Sequence, residues 1–243
     1  MIICVGVGPG DLGYITNRAT KLIGEAEVVA GFDSVLNFIA PLVNKGAEII
    51  CMNYKDQVSQ IALVAKKHHE GKRCVVALMG DIHFSGFQLL ERVQSACGHR
   101  VESVPGISSA QILASLTQVC FDETSFITFH RRGDIEPFKR HLVSAIRDGR
   151  NAIVIPRPWD FMPHHVAAYL IENDVPAQQT VEVWEKLTQQ EAAWVGQLDQ
   201  VKDVFSDMSI MLIRTLTPFA SGLEFEQKAA KDSAHLSQSE QAV

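Results

Sequence analysis

Long apolar runs, basic runs and metal-type cysteine pairs are all missing from this sequence. No apolar stretch approaches the ~20 residues that a membrane-spanning helix needs. The first apolar stretch breaks at Gly6, and no basic segment precedes it. We therefore expect a cytoplasmic protein that does not enter a membrane. The formal net charge of −6 and the lack of a lysine-rich run argue against a nucleic-acid partner.

Cysteine and histidine are present without the spacing of a disulfide framework or a metal site. The five cysteines form no Cys-x-x-Cys pair, and their number is odd, so we expect them to be reduced and mostly buried. Adjacent histidines occur at His68-His69 and at His164-His165. Because neighbouring positions on a helix do not share a face, neither pair predicts a metal ligand set, and we expect no bound metal.

The distribution of apolar residues indicates an α/β fold with a substantial core. The 243 residues are 47% hydrophobic and 21% charged, and short apolar segments alternate with amphipathic ones. Residues 1–118 predict a first α/β domain with a mostly parallel sheet. Residues 119–218 predict a second, with a mixed sheet, because the segments between Trp184 and Trp194 are close enough to pair as a hairpin. Residues 219–243 are polar and predict a disordered tail.

Three loops follow predicted strands in the first half: a first loop at 6–11, a second at 80–86 and a third at 105–109. Carboxyl ends of parallel strands lie on one sheet edge, so we expect the three loops to converge there. They offer backbone groups, two hydroxyls and two acids. That set suits a neutral or zwitterionic ligand held largely by main-chain hydrogen bonds.

Other interpretations of these loops stay open. No lysine follows the glycines as in a P-loop, and Gly-x-Gly-x-Gly-Asp is not the dinucleotide fingerprint, so a nicotinamide-dependent oxidoreductase or a non-catalytic nucleotide-binding module is less favoured. Asp11 could order only its own loop, and Asp81 could cap the helix after it. Ser108 and Ser109 could likewise cap the next helix. The three tryptophans, at 159, 184 and 194, are better explained by packing than by stacking on a cofactor.

The three loops together resemble the ordered signature of the tetrapyrrole methylases. The matching stretches are Val5-Gly-Val-Gly-Pro-Gly-Asp11, Gly80-Asp81 with Phe84 and Gly86, and Val104-Pro-Gly-Ile-Ser-Ser109. The resemblance extends over about residues 1–216. It implies two α/β domains with S-adenosylmethionine (SAM) folded into the cleft between them, an anionic tetrapyrrole substrate and a homodimer.

Further stretches are similar to the branch of the family that methylates C5 of cobalt-precorrin-7 in cobalamin synthesis. They are Ala110-Gln111, the stretch 125–131, and the stretch 183–188 with Glu191. Ile82 stands where the family usually has proline, and His130-Arg-Arg132 replaces its His-Gly-Arg turn. A sister methylase acting on another precorrin position or on uroporphyrinogen is the alternative, and a protein or RNA methylase of the same fold is a third. No second methylase domain is present, so a separate partner would perform the C15 methylation and decarboxylation.

The resemblance also implies which residues form the site. Those expected to line the cofactor pocket, several through their backbone, are Pro9, Met79, Gly80, Asp81, His83, Phe84, Ser108, Ser109, Pro156, Trp184, Met208 and Ser209. Asp81 or His130 could remove a proton from the ring. Arginine is the natural partner of the substrate carboxylates, so we expect substrate contacts from Asp11, His130, Arg131, Arg132 and Arg157. The alternative for these arginines is an ordinary solvated surface position.

Overall fold

In a computed structural model of the protein, residues 1–202 and 204–216 are described, and they form two five-stranded sheets. The two sheets confirm the predicted α/β class. The predicted tail at 219–243 lies outside the described residues. Within the described ranges, no helix is both long and apolar enough to cross a membrane.

The first sheet is entirely parallel and has the strand order β3-β2-β4-β1-β5. Its strands are β1 (Ile2–Gly6), β2 (Val28–Phe32), β3 (Glu48–Met52), β4 (Cys74–Leu78) and β5 (Glu102–Val104). The helices of this half are α1 (Asn17–Glu25), α2 (Asp33–Ile39), α3 (Gln57–His69), α4 (Phe87–Cys97) and α5 (Ser109–Thr117). All five residues of β4 are buried, as expected for a continuous apolar run at the centre of a parallel sheet.

The second sheet is mixed, which confirms the prediction from the sequence. Its strands are β6 (Thr124–Thr128), β7 (Asn151–Ile155), β8 (Thr180–Glu185), β9 (Ala192–Gln197) and β10 (Ser209–Ile213), in the order β6-β7-β10-β8-β9. The helices are α6 (Glu136–Arg147) and α7 (Pro163–Glu172). Strands β6 and β7 are parallel, whereas β8 and β9 form the expected antiparallel hairpin.

The last helix of the first half packs on the sheet of the second half. Ala110, Leu113 and Ala114 of α5 are buried in one apolar cluster with Ile153 of β7 and Leu212 of β10. This contact joins the two sheets, and the division after residue 118 stays a prediction. The cysteines are free in the structure, with Cys4, Cys74 and Cys97 buried and the other two exposed, which confirms that most of them are buried.

The three loops meet where β1, β4 and β5 end side by side. Gly8 N donates to Gly80 O (3.2 Å), and Gly80 N donates to Gly8 O (2.8 Å). A Cβ atom added to Gly106 would lie 2.3 Å from Gly80 O and 2.7 Å from the carbonyl carbon of Gly6. Because the backbones approach this closely, only glycine fits at the contact. The predicted convergence of the loops is therefore present in the structure.

We predict that Gly106→Ala lowers the free energy of unfolding by about 1–3 kcal/mol, because its methyl group forces the backbone of the second loop away. The matched control is Gly46→Ala in a surface turn, where the nearest atom to an added Cβ is 3.7 Å away. It should change stability by less than ~0.5 kcal/mol. Urea denaturation of both variants measures the difference. Equal midpoints for Gly106→Ala and the unsubstituted protein would contradict this packing argument.

Candidate functional site

The candidate site lies at the carboxyl edge of the first sheet, where the second half also contributes. The turn between β8 and β9 carries Gln189, and a Cβ added to Gly10 would lie 2.2 Å from Gln189 Nε2. Gly10 has φ +134°, a conformation that L side chains rarely adopt. The first loop is thus covered by a side chain from the second sheet, so both halves border the same space.

Asp81 ties the second loop to the third. Its Oδ1 accepts a hydrogen bond from His83 N (2.8 Å), and its Oδ2 accepts one from Gly106 N (3.0 Å). Helix α4 begins at Phe87 with Gly86 in the N-cap position, so the interpretation of Asp81 as the cap of that helix is wrong. The carboxylate instead fixes the relative position of two loops that follow different strands.

Asp11 and Ser108 occupy local capping positions. Asp11 Oδ1 accepts from Gly13 N (2.7 Å) at the start of a short 3₁₀ helix, so its carboxylate orders its own loop, as one interpretation of the sequence proposed. Ser108 is the N-cap residue of α5, and its N donates to Gln111 Oε1 (2.8 Å). Ser109 is the first residue of that helix. Both serines therefore stand at a helix N-terminus that faces the loop edge.

The remaining expected cofactor residues of the first half lie on the second loop or beside it. Pro9 is buried, and Met79 is half-buried against the core between the sheet and α1. His83 is exposed, with Nε2 3.2 Å from Ser103 Oγ. Phe84 packs against the apolar cluster of α5 and β10. The structure thus places these residues around one edge, although Pro9 is buried and Met79 packs against the core.

The second half contributes Pro156, Trp184, Met208 and Ser209. Trp184 packs against the cluster that also contacts Phe84, and its Nε1 donates to Glu182 Oε2 (3.1 Å). Pro156 is buried directly after β7, whereas Met208 is exposed. Among the other two tryptophans, Trp194 packs on the core, whereas Trp159 is 55% exposed and its ring contacts His130 (6.0 Å between ring centres) and Arg157.

Three buried hydroxyls near the end of β8 have no hydrogen-bond partner. They are Thr188 Oγ1, Ser206 Oγ and Ser209 Oγ. Ser209 stands opposite Glu185 in the β8–β10 ladder, and Ser206 N donates to Glu185 Oε1 (2.5 Å), so these two hydroxyls belong to one region. A buried hydroxyl without a partner costs free energy, which makes this region suited to a ligand that carries donors and acceptors. Sequence reasoning did not select Thr188 as a site residue, although Thr188 ends the stretch 183–188 that carries the resemblance, and it missed Ser206, which lies in no recognisable motif.

The arginines that follow β6 and β7 differ in the partners of their guanidinium groups. Arg157 forms a bidentate ion pair with Asp160, through Nε to Oδ1 and Nη2 to Oδ2. The guanidinium of Arg131 lies 4.1 Å above the ring of Phe138. Arg132 is exposed and forms no ion pair with the described residues, and its Nη2 donates only to the Tyr54 carbonyl (3.4 Å). Of the predicted carboxylate binders, Arg132 is therefore the best placed to meet an anion.

His130 stands beside these arginines at the end of β6. Burial lowers the pKa of its imidazole below the ordinary value, and the nearby Asp207 carboxylate opposes that shift. The ring is therefore neutral at pH 7 and has a lone pair that accepts a proton. Within residues 1–202 and 204–216, no group of three or more histidine, cysteine or acidic side chains is arranged to hold a metal ion.

Solved structures with the same fold include the methyltransferase CobJ, with a TM-score of 0.75 at 18% identity over 90% of this chain and 96% of that one. Another is a cobalamin biosynthesis precorrin-6Y methylase from Archaeoglobus fulgidus, with a TM-score of 0.63 at 21% identity over 89% and 99% of the two chains. At these identities the likeness establishes the fold.

Comparison with sequence relatives agrees with the comparison of structures. A probable cobalt-precorrin-7 C(5)-methyltransferase from Methanocaldococcus jannaschii is 27% identical over 192 residues, which are 77% of this chain and 84% of that protein. A siroheme synthase from Cronobacter sakazakii is 30% identical over 60% of this chain, which corresponds to about a third (34%) of its own length. The protein-family model of the tetrapyrrole (corrin/porphyrin) methylases matches residues 1–202, and the chain therefore belongs to that family.

Proposed function

We propose that this chain methylates C5 of cobalt-precorrin-7, or of the equivalent cobalt-free precorrin. Family membership makes it a SAM-dependent tetrapyrrole methyltransferase. The assignment of C5 as the methylated ring position goes beyond family membership. It is supported by the Methanocaldococcus jannaschii relative, whose alignment covers most of both chains. The alternative is another precorrin position or uroporphyrinogen, since the chain is also similar to siroheme synthases and to a cobalt-factor III methyltransferase from Priestia megaterium.

The residues of the loop edge fit SAM. The cofactor carries an amino-acid part, a ribose and an adenine, all of which need hydrogen-bond partners. The backbone of the second and third loops and the buried hydroxyls of Thr188 and Ser209 offer such partners. When bound, SAM supplies an electrophilic methyl group on a sulfonium. We propose that Asp81 acts by holding the two loops in register, because both of its oxygens are occupied by backbone N–H groups.

Methyl transfer to this substrate depends on correct positioning of the substrate more than on a nucleophilic side chain of the protein. A meso carbon of a reduced tetrapyrrole is electron-rich through its enamine-like nitrogens, so the chain has to place it in line with the methyl group. His130 is then the better candidate for accepting a ring proton, since its imidazole is neutral and Asp81 is engaged elsewhere. The homodimer and the separate partner for the C15 step stay predictions.

Binding and turnover test this function directly. Calorimetry should show that SAM and S-adenosylhomocysteine bind and that NAD does not. Incubation with SAM and a panel of precorrins should add one methyl group to cobalt-precorrin-7 or its cobalt-free equivalent, read by product mass. Methylation of a different intermediate would show that the chain acts on another precorrin position or on uroporphyrinogen instead. NAD binding without S-adenosylhomocysteine binding would remove the methyltransferase function altogether.

Asp81→Asn should weaken S-adenosylhomocysteine binding by about tenfold, because the amide can accept at one oxygen only and one loop N–H loses its partner. Asp134→Asn is the matched control, since Asp134 Oδ1 accepts from one backbone group only, Glu136 N (2.9 Å), in an exposed turn just before α6. Calorimetry of both variants measures the change. If Asp81→Asn lowers kcat while cofactor affinity stays intact, the positioning role is incorrect and a catalytic one takes its place.

The lowered pKa of His130 predicts a pH dependence of activity. The pKa of this imidazole is lower in the folded protein than in the unfolded chain, where it is about 6.5. The folded imidazole therefore stays neutral at pH 6.5 and above, and it becomes protonated, and so unable to act as a base, only as the pH falls below that value. The acidic limb of kcat/KM should therefore lie below pH 6.5, and His130→Gln should lower kcat by about 100-fold and remove that limb. Stability should fall over the same acidic range in the unsubstituted protein and less so in the variant. An unaltered limb in His130→Gln would assign the proton acceptor to another group.

A further inference from the structure

Two guanidiniums, one from each half of the chain, sit at opposite ends of one short polar bridge. Arg92 of α4 donates through Nη1 to Gln57 Oε1 (2.7 Å). Gln57 Nε2 donates to Tyr54 O (3.2 Å), and Arg132 Nη2 donates to the same carbonyl (3.4 Å). Gln57 is only 2% exposed, so its amide holds the bridge in a defined place. The two guanidiniums are therefore linked through Gln57 and the Tyr54 carbonyl across the junction of the halves.

Neither guanidinium has a carboxylate partner among the described residues. Neither takes part in any ion pair of residues 1–202 and 204–216. Asp56, the carboxylate next to Gln57 in the chain, accepts from Asn53 N (2.7 Å) and Asn53 Nδ2 (2.6 Å). Burial lowers the pKa of Arg92, the charge of Arg132 lowers it further, and Glu91 opposes the shift without forming an ion pair. Two like charges held together without a counter-charge favour an anion between them.

The pair lies at the rim of the candidate site. Tyr54 follows β3 at the carboxyl edge of the first sheet, and Arg132 follows β6. Gln88, at the start of α4 just after the second loop, forms two hydrogen bonds with the backbone of Arg132. Its Oε1 accepts from Arg132 N (2.9 Å), and its Nε2 donates to Arg132 O (3.1 Å). Arg132 is therefore fixed next to the second loop.

We propose that Arg92 and Arg132 form an anion site that takes one carboxylate of the tetrapyrrole substrate and joins the two halves of the chain around it. The planar guanidinium has several donors that match the two oxygens of a carboxylate. Two guanidiniums from different halves of the chain therefore select a carboxylate by its position as well as by its charge. This inference rests on the proposed function, because the substrate of that function is a polycarboxylate. It adds Arg92, which sequence reasoning did not select, to the substrate contacts.

The test is binding of uroporphyrin, a fluorescent porphyrin with carboxylates on every pyrrole ring, in the presence of S-adenosylhomocysteine. Arg92→Gln and Arg132→Gln should each raise the Kd about tenfold. The double variant should raise it by less than the product of the two, since one carboxylate contacts both. Arg140→Gln, at an exposed position on α6, is the matched control and should bind as the unsubstituted protein does. Affinity for S-adenosylhomocysteine should stay unchanged throughout.

The opposing results separate this site from the proposed function. An unchanged uroporphyrin Kd in Arg92→Gln, with cofactor binding intact, overturns the site. Sulfate, titrated at constant ionic strength, provides a second measurement: if Arg92→Gln abolishes sulfate competition but not porphyrin affinity, the pair binds a small free anion and the substrate role is overturned. Arginine-dependent porphyrin binding without methylation of any precorrin would keep the site and reject the proposed function, because this binding assay does not require turnover.

Discussion

The close approach of three loop backbones in the first half of this protein decides the geometry of its candidate site. Three strands that are distant in the chain end side by side, and their loops touch at Gly6 and Gly106, where the Gly80 carbonyl leaves no room for a side chain. Asp81 reinforces this contact by accepting from an N–H group in each of two loops. Main-chain groups held in this way point at a ligand without depending on side-chain identity, which suits a cofactor gripped by backbone hydrogen bonds.

The second half completes the site through packing. Helix α5 buries its apolar face on β7 and β10, so the N-terminus of that helix, with Ser108, is anchored by the opposite sheet. The β8–β9 turn reaches back to the first loop through Gln189. The buried hydroxyls around the end of β8 lack partners, and a polar ligand between the halves would satisfy them. Both sheets therefore border the same candidate site.

Charge is arranged unevenly around that edge. A chain with a net charge of −6 nevertheless collects His130 and several arginines after β6 and β7. Arg157 is neutralised by Asp160, whereas Arg132 and, on α4, Arg92 have no carboxylate partner among the described residues. An anionic polycarboxylate meets such an arrangement favourably, since local unpaired cations attract it in spite of the overall negative charge.

The sequence by itself determined the α/β class, the parallel first sheet, the hairpin in the second and the convergence of three loops, because apolar periodicity and glycine spacing are local signals. The family followed from those same loops. Only the tertiary structure decided the roles of side chains that act between elements. Asp81 bridges two loops, Arg157 is engaged by Asp160, and Arg92 meets Arg132 through Gln57. Such contacts join positions tens of residues apart, and no local pattern encodes which of several polar residues will meet.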